Sequence, residues 1–167
     1  MRLNLIDQDS RMLVGSLWQF YKHDLSEFLG TRPESDGKFR PGRLPSYFDD
    51  PDRCGYLIYA EQELLGFAML LGIEKPPVVI GDFFILRTFR RSGIGSNAAK
   101  LVMQTQMGPW EIPFQTDNSG AARFWRRVAE SLAPGRWSEE LRAVPNKPEI
   151  PPDAWISLPS SGPNHPE

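Results

Sequence analysis

The run Arg90-Arg91-Ser92-Gly93-Ile94-Gly95-Ser96 places two arginines and two glycines between an apolar stretch and a helical period. Glycines let a backbone turn tightly and come close to a ligand. A helix start presents unpaired N–H groups and the positive end of the peptide dipoles, and guanidinium groups beside it add charge-assisted donors. Together these describe an anion site, most naturally one for phosphate. The plainer reading is a tight strand-to-helix turn flanked by solvated arginines. A phosphate loop of the Gly-Lys-Ser/Thr type is excluded, because that triplet does not follow at the required spacing. Gly93-x-Gly95-x-x-Ala98 also fits the Gly/Ala form of a dinucleotide fingerprint, with Asp117 near the place of the ribose acid. The loop falls past the middle of the chain, however, and too few strand–helix units follow to complete such a sheet.

A second cluster, Tyr21-Lys22-His23-Asp24-Leu25-Ser26-Glu27, sets a phenol, an imidazole and two carboxylates within two helical turns. Such groups can move protons; charges at a helix end are also often plain solvation. Other chemistry has little support. There is no Gly-x-Ser-x-Gly elbow, no His-Glu-x-x-His and no metal-type His/Cys spacing, so no metal site is expected. Arg123, Arg126 and Arg127 offer a further cationic stripe, for an acidic partner, for an adenosine phosphate, or simply for water.

These residues need elements to hold them. Residues 2–6 alternate apolar and polar and read as a strand. Asp9 and Ser10 offer N-cap oxygens for a helix that buries Leu13, Leu17 and Phe20, with Val14, Trp18 and Tyr21 on an adjoining stripe. Residues 30–51 are rich in Gly, Pro and Asp and read as loop, with a short helical turn at 44–48. Residues 56–60 and 64–71 form a hairpin around Glu61-Gln62-Glu63, and 78–86 form a strand interrupted at Gly81-Asp82. The helix after the glycine loop carries Ile94, Ala98, Leu101, Val102 and Thr105 on one face and ends near Gly108-Pro109. Residues 110–115 are strand-like. Residues 118–132 form the clearest helix, with Ala121, Phe124, Trp125, Val128 and Leu132 on one side and Arg123, Arg126, Arg127 and Glu130 on the other. Residues 136–144 and 154–158 read as closing strands. This order predicts a mixed α/β domain rather than a strictly alternating doubly wound sheet.

The composition agrees. A chain of 167 residues is one domain's length, here 1–158 with a Pro-rich C-terminal tail at 159–167. With 40% hydrophobic and 24% charged residues it is globular, and its net charge of -2 gives no footprint for nucleic acid. Cys54 is the single cysteine, which points to a reducing compartment. No signal-peptide pattern opens the chain, and no apolar run approaches the ~20 residues that span a bilayer. A cytoplasmic protein away from the membrane is the expectation.

The stretch Phe83-Phe84-Ile85-Leu86-Arg87-Thr88-Phe89-Arg90-Arg91-Ser92-Gly93-Ile94-Gly95 resembles the cofactor motif of the GNAT superfamily of N-acetyltransferases, in which an apolar strand runs into Arg/Gln-x-x-Gly-x-Gly/Ala and then a helix. Asn118-Ser119-Gly120-Ala121 resembles that superfamily's Asn-x-x-Ala at the start of its last helix, and a plain N-cap explains it equally. The resemblance implies a central, mostly antiparallel sheet of about six to seven strands flanked by helices. It implies acetyl-CoA as acyl donor and direct transfer to a primary amine, on a small molecule or a peptide, by a monomer or homodimer. Carried over by position, the backbone of Arg91, Ser92, Gly93, Ile94, Gly95 and Ser96 would cradle the pyrophosphate, with Arg90 and Arg91 adding charge. Main chain at Phe84, Ile85 and Leu86 would bond the acetyl carbonyl and pantetheine amides, and Asn118 the pantetheine arm.

The proton chemistry departs from the pattern. Where the family often has a tyrosine as general acid, seven residues after the Asn, this chain has Trp125, whose indole N–H is no usable acid. The base is open between Asp82, near where many members carry an acidic residue, and the first-helix groups His23, Asp24 and Glu27. Two rivals follow: an acyl-CoA-binding or regulatory module without turnover, and a nicotinamide-binding oxidoreductase.

Overall fold

The computed structural model describes residues 1–145 and 149–160; positions 161–167, most of the expected tail, lie outside the described residues. The alternating and helical periods become β1 (Arg2–Leu5), α1 (Arg11–Leu29), α2 (Ser46–Asp49), β2 (Arg53–Ala60), β3 (Glu63–Leu71), β4 (Val78–Ile85), a 3₁₀ turn (Arg87–Phe89), α3 (Ile94–Met103), β5 (Trp110–Gln115), α4 (Ser119–Leu132), β6 (Ser138–Arg142) and β7 (Asp153–Leu158). The strands form one sheet in the order β1-β2-β3-β4-β5-β7-β6. All neighbours are antiparallel except β4 and β5. This is the mixed α/β domain that the element order predicts, with the mostly antiparallel sheet that the resemblance implies. Among the described residues no helix is long and apolar enough to cross a membrane.

The parallel pair is short. Val78 pairs with Trp110 and Val79 with Glu111, and beyond them the strands part. Two residues explain this. The register between β3 and β4 slips from Met69–Asp82 to Leu70–Ile80, which leaves Gly81 as an extra, bulged residue, and a bulge bends and twists its strand. On the other strand, the Val78 N–H donates to the Pro109 carbonyl at 2.9 Å. Strand alternation then turns the main chain of Glu111 and Pro113 toward β4, and Pro113 has no N–H with which to continue the ladder. The result is a wedge that opens toward the C-terminal ends of both strands.

Each face of the sheet carries its own core. On one, α3 and α4 bury Ala98, Val102, Trp125 and Val128 against Ile85, Trp110, Ile112 and Ile156. On the other, α1 and α2 bury Val14, Leu17, Trp18 and Tyr47 against Leu57, Phe67, Met69 and Phe84. The α1 stripe differs from the one expected. Leu13 is 40% and Phe20 57% exposed, whereas Val14, Leu17 and Trp18 are buried. The sheet selects the stripe whose aromatics have partners: Trp18 stacks on Phe67 at 5.7 Å, and Tyr21 meets Phe67 and Phe84 edge-on. α3 ends at Met103, earlier than Gly108-Pro109 suggests; just past its end both the N–H and the hydroxyl of Thr105 fold back to the Val102 carbonyl, a tighter i−3 closure.

Gly66 marks the tightest point of the sheet. Any Cβ there would stand 1.9 Å from the Phe84 carbonyl oxygen. Gly66→Ala is therefore expected to cost about 3 kcal/mol or more, read as a lowered midpoint in urea denaturation at an unchanged slope.

Candidate active site

The glycine loop leaves β4 through the 3₁₀ turn and doubles back with positive φ at Arg91 (65°) and Gly93 (82°). The first helical bond of α3 runs from the Asn97 N–H to the Gly93 carbonyl, 3.1 Å. The N–H groups of Arg91, Ser92, Gly93, Ile94, Gly95 and Ser96 meet no protein acceptor among the described residues. They form a row of free donors at the positive end of a helix. The two glycines do different work. A Cβ on Gly93 would meet open space, so its freedom serves the turn; one on Gly95 would stand 3.3 Å from the Phe124 ring, so its absence lets α3 close onto α4.

Of the two arginines, Arg91 is exposed and Arg90 is committed elsewhere. The Arg90 Nε donates to the Ile85 carbonyl at 2.6 Å, and its Nη2 donates to Asp24 at 2.5 Å. Arg87 reaches the same carboxylate. Burial works to raise the Asp24 carboxyl, but hydrogen bonds and charge from Arg90 and Arg87 outweigh it and hold it below the ordinary carboxylate value. Asp24 thus ties α1 to the loop.

In the wedge, Leu86 donates its N–H to the Leu65 carbonyl at 2.8 Å, and the Phe84 carbonyl lies against Gly66. Both therefore face β3. Alternation turns the main chain of Phe83 and Ile85 toward β5 instead. Of the three expected positions, Ile85 faces the wedge; Phe83, outside that set, joins it. Their side chains lie on the α3–α4 face, where Phe83 stacks on Phe124 at 5.8 Å and meets Trp125 edge-on at 5.2 Å. Trp125 is 5% exposed and belongs to that core. Asn118 accepts the Ala121 N–H at 2.9 Å through Oδ1, so it caps α4, and its amide N–H₂ remains for other partners.

The acid–base candidates do not converge. Asp82, 4% exposed, accepts four hydrogen bonds: from the Tyr21 hydroxyl (2.8 Å), the Tyr47 hydroxyl (2.7 Å), and Nε and Nη2 of Arg43 (both 2.9 Å). Arg43 Nη2 also donates to the Gly81 carbonyl at 2.7 Å. Burial, reinforced by the Asp82 charge, pushes both phenols well above their usual range. Burial opposes the Arg43 charge, and Asp82 more than offsets it. Asp82 is thus the hub that pins α1, the 30–45 loop and α2 to the bulge in β4, with no oxygen left open. His23 is exposed, its ring edge-on to Phe39 at 6.4 Å, and Glu27 is exposed one turn further on. Arg43 and Tyr47 have no sequence signal beyond standing near the one apolar patch, Leu44, Tyr47 and Phe48, of a polar loop. A cavity of about 460 Å³ beside β1 and α2 includes no residue of the glycine loop or the wedge.

β4 thus parts from its parallel neighbour and runs into a bowl of free amides. Residues 17–129 match the family model described as Acetyltransferase (GNAT) family. The chain belongs to the GNAT acetyltransferases. No curated protein matches it by sequence. Among solved structures it is similar to an acetyltransferase from Thermus thermophilus (14% identity, TM-score 0.65, covering 95% of this chain and 97% of that one). It is also similar to the spermidine N-acetyltransferase of Vibrio cholerae in complex with CoA and spermine (10%, 0.64, 96% and 95%). A third is the ribosomal-protein-S18-alanine N-acetyltransferase of Escherichia coli (10%, 0.61, 99% of each). At these identities the likeness is one of fold. GNAT acetyltransferases use acetyl-CoA, and the free amides of 91–96 and the wedge beside them suit a pyrophosphate and an extended amide-bearing arm.

Asp24→Asn tests the tie between α1 and the loop. A carboxyl whose pKa is lowered by folding contributes stability above its unfolded pKa, and that contribution is lost as pH falls through the lowered value. The variant should be about 1 kcal/mol less stable than the parent at pH 7. The gap should close as the pH falls below about 4, followed by thermal unfolding across a pH series.

Proposed function

We propose that this GNAT domain transfers an acetyl group from acetyl-CoA to a primary amine by direct attack within a ternary complex. The observation that carries the reading is the row of unpartnered N–H groups from Arg91 to Ser96, set at the mouth of the β4–β5 wedge. Those amides would hold the pyrophosphate, with Arg91 adding charge. The wedge-facing main chain of Phe83 and Ile85 would bond the pantetheine amides and the acyl carbonyl, and the free amide of Asn118 the same arm. Acetyl-CoA supplies an activated thioester whose thiolate leaves readily. A main-chain donor beside the carbonyl oxygen stabilises the charge that develops there, commonly a large contribution to rate. Amine acceptors are named for two of the structural relatives above, spermidine in one and a protein alanine in the other. The reading extends that chemical class to this chain.

A second reading is a GNAT domain that binds acyl-CoA without turning it over. Two observations favour it: Trp125 is buried where the family often places its acid, and Asp82 has no open oxygen. Thiol release measured over a broad amine panel separates the two, since tight cofactor binding with no release on any amine supports the module.

Calorimetric titration with acetyl-CoA is expected to show one site per chain. In Gly93→Asp the added atoms enter open space, and the positive φ of 82° strains any side chain there, Asp less than most; a thermal melt beside the titration shows that the variant is folded. The carboxylate then stands at the phosphate bowl, and affinity should fall at least about tenfold, the order of one lost charge-assisted contact. Unchanged affinity would place the cofactor elsewhere.

A further inference from the structure

The α1–α2 face of the sheet is only half covered. α1, α2 and the 30–45 loop pack over β2, β3 and β4, and among the described residues no helix covers β5, β7 or β6 on that side. The residues turned there are Glu111, Pro113 and Gln115 of β5 and Asp153, Trp155 and Ser157 of β7, all part-buried, while their alternates form the α3–α4 core. This makes a polar shelf beginning where Arg43 ends the covered half.

Most charges on the shelf are already spent. Glu111 receives two hydrogen bonds from Arg142, at 3.0 and 2.8 Å. Arg142 also binds Glu140 and lies over the Trp155 ring at 4.6 Å. Two groups remain. Arg43 is locked by its three bonds to Asp82 and Gly81, yet its side chain is 48% exposed and its Nη1 has no partner among the described residues. Asp153 stands opposite Gln115 at the wedge end of β7 and has no hydrogen-bond or ion-pair partner among the described residues. Burial raises its carboxyl above the usual value, and the charge that pulls it back is that of Arg43. A rigid cationic edge anchored on β4 and an uncommitted carboxylate on β7 thus stand on the same face of the sheet, on either side of β5.

We infer that the acceptor is an amine that itself carries a carboxylate, an amino acid or an ω-amino acid, with its ammonium on Asp153 and its carboxylate on the free Nη1 edge of Arg43. This rests on the proposal above that a primary amine attacks the acyl group held in the wedge, and adds that the amine approaches across this shelf. The chemistry selects against polyamines, because a second ammonium would meet Arg43 where the carboxylate belongs. A charge-assisted pair at each end orients the nitrogen, and the rigidity of Arg43, enforced by Asp82, keeps the cost of ordering small. The ammonium gives one proton to the Asp153 carboxylate; the neutral amine then attacks the acyl carbon, the C–S bond breaks to release the CoA thiolate, and the remaining excess proton on nitrogen passes to that thiolate or to water.

The test is thiol release from acetyl-CoA with α- and ω-amino acids of increasing length, set against their methyl esters and diamines of equal length. At one length the free acid should exceed its ester in kcat/KM by about tenfold or more, the weight of a hydrogen bond to a charged group. Asp153→Asn should raise the amine KM by a similar factor while calorimetric acetyl-CoA affinity stays unchanged. Esters or diamines that serve as well as the acids, or an Asp153→Asn protein with parental amine KM, would overturn the inference. Absence of acetyl-CoA binding would instead remove the cofactor reading beneath it. If no amine is turned over, calorimetric binding of the same acids and esters to the CoA-saturated protein decides: acids must bind more tightly, and equal or no binding at millimolar concentration overturns it.

Discussion

Strands β4 and β5 run parallel for two paired residues and then part, and the arrangement of the candidate site follows from that parting. Backbone N–H and carbonyl groups left without partners inside a protein are costly, so a wedge in the middle of a sheet persists only if something built into the strands prevents closure. Here the devices are covalent and local: a bulged glycine that twists β4 and a proline that removes a donor from β5. They leave the main chain of Phe83 and Ile85 as an open edge in the interior. That edge runs directly into a loop whose own amides are also free.

The bulge does more than open the wedge. It makes room for the Tyr47 hydroxyl, which would stand 2.6 Å from a Cβ at Gly81, and it offers its carbonyl to Arg43. Asp82, the next residue, then gathers two phenols and a guanidinium around one buried carboxylate. A buried charge is tolerable only when paired and fully hydrogen-bonded, and this one is. The hub fixes the long loop over the sheet together with a second clasp, in which Gln19 and Phe39 exchange hydrogen bonds at 2.7 and 3.1 Å. Asp24 supplies a third fastening between α1 and the arginines after β4. The covering of this face is therefore held, beside its apolar core, by polar contacts to β4 and the residues after it.

Much of this is legible in the sequence, for identifiable reasons. The strands and helices carry strong periods, and Gly93, Gly95 and Asn118 occupy positions whose backbone demands are local. The α1 stripe is ambiguous in sequence because Leu13 and Phe20 are as apolar as Val14 and Trp18, and only the aromatic partners Phe67 and Phe84 on the sheet distinguish the two sides. Arg43 and Tyr47 were illegible because a polar, proline-rich loop has no period to place them. Asp82 showed only as a carboxylate next to a glycine; what it touches lies 35 to 61 residues away in the chain.

By itself, then, the sequence determined what depends on near neighbours along the chain: the element order, the turn that frees the loop amides, the cap on α4, and the burial of Trp125 within its helix stripe. Tertiary structure decided what depends on long-range packing. It assigned Arg90 to Asp24 rather than to the loop, filled Asp82 with donors, turned Ile85 and Phe83 rather than Phe84 and Leu86 into the wedge, and left Arg43 and Asp153 facing a bare shelf. The physical reason is the same in each case. Hydrogen-bonding groups choose partners by distance and direction in space, and strand register, set by one bulge, decides which groups come within reach.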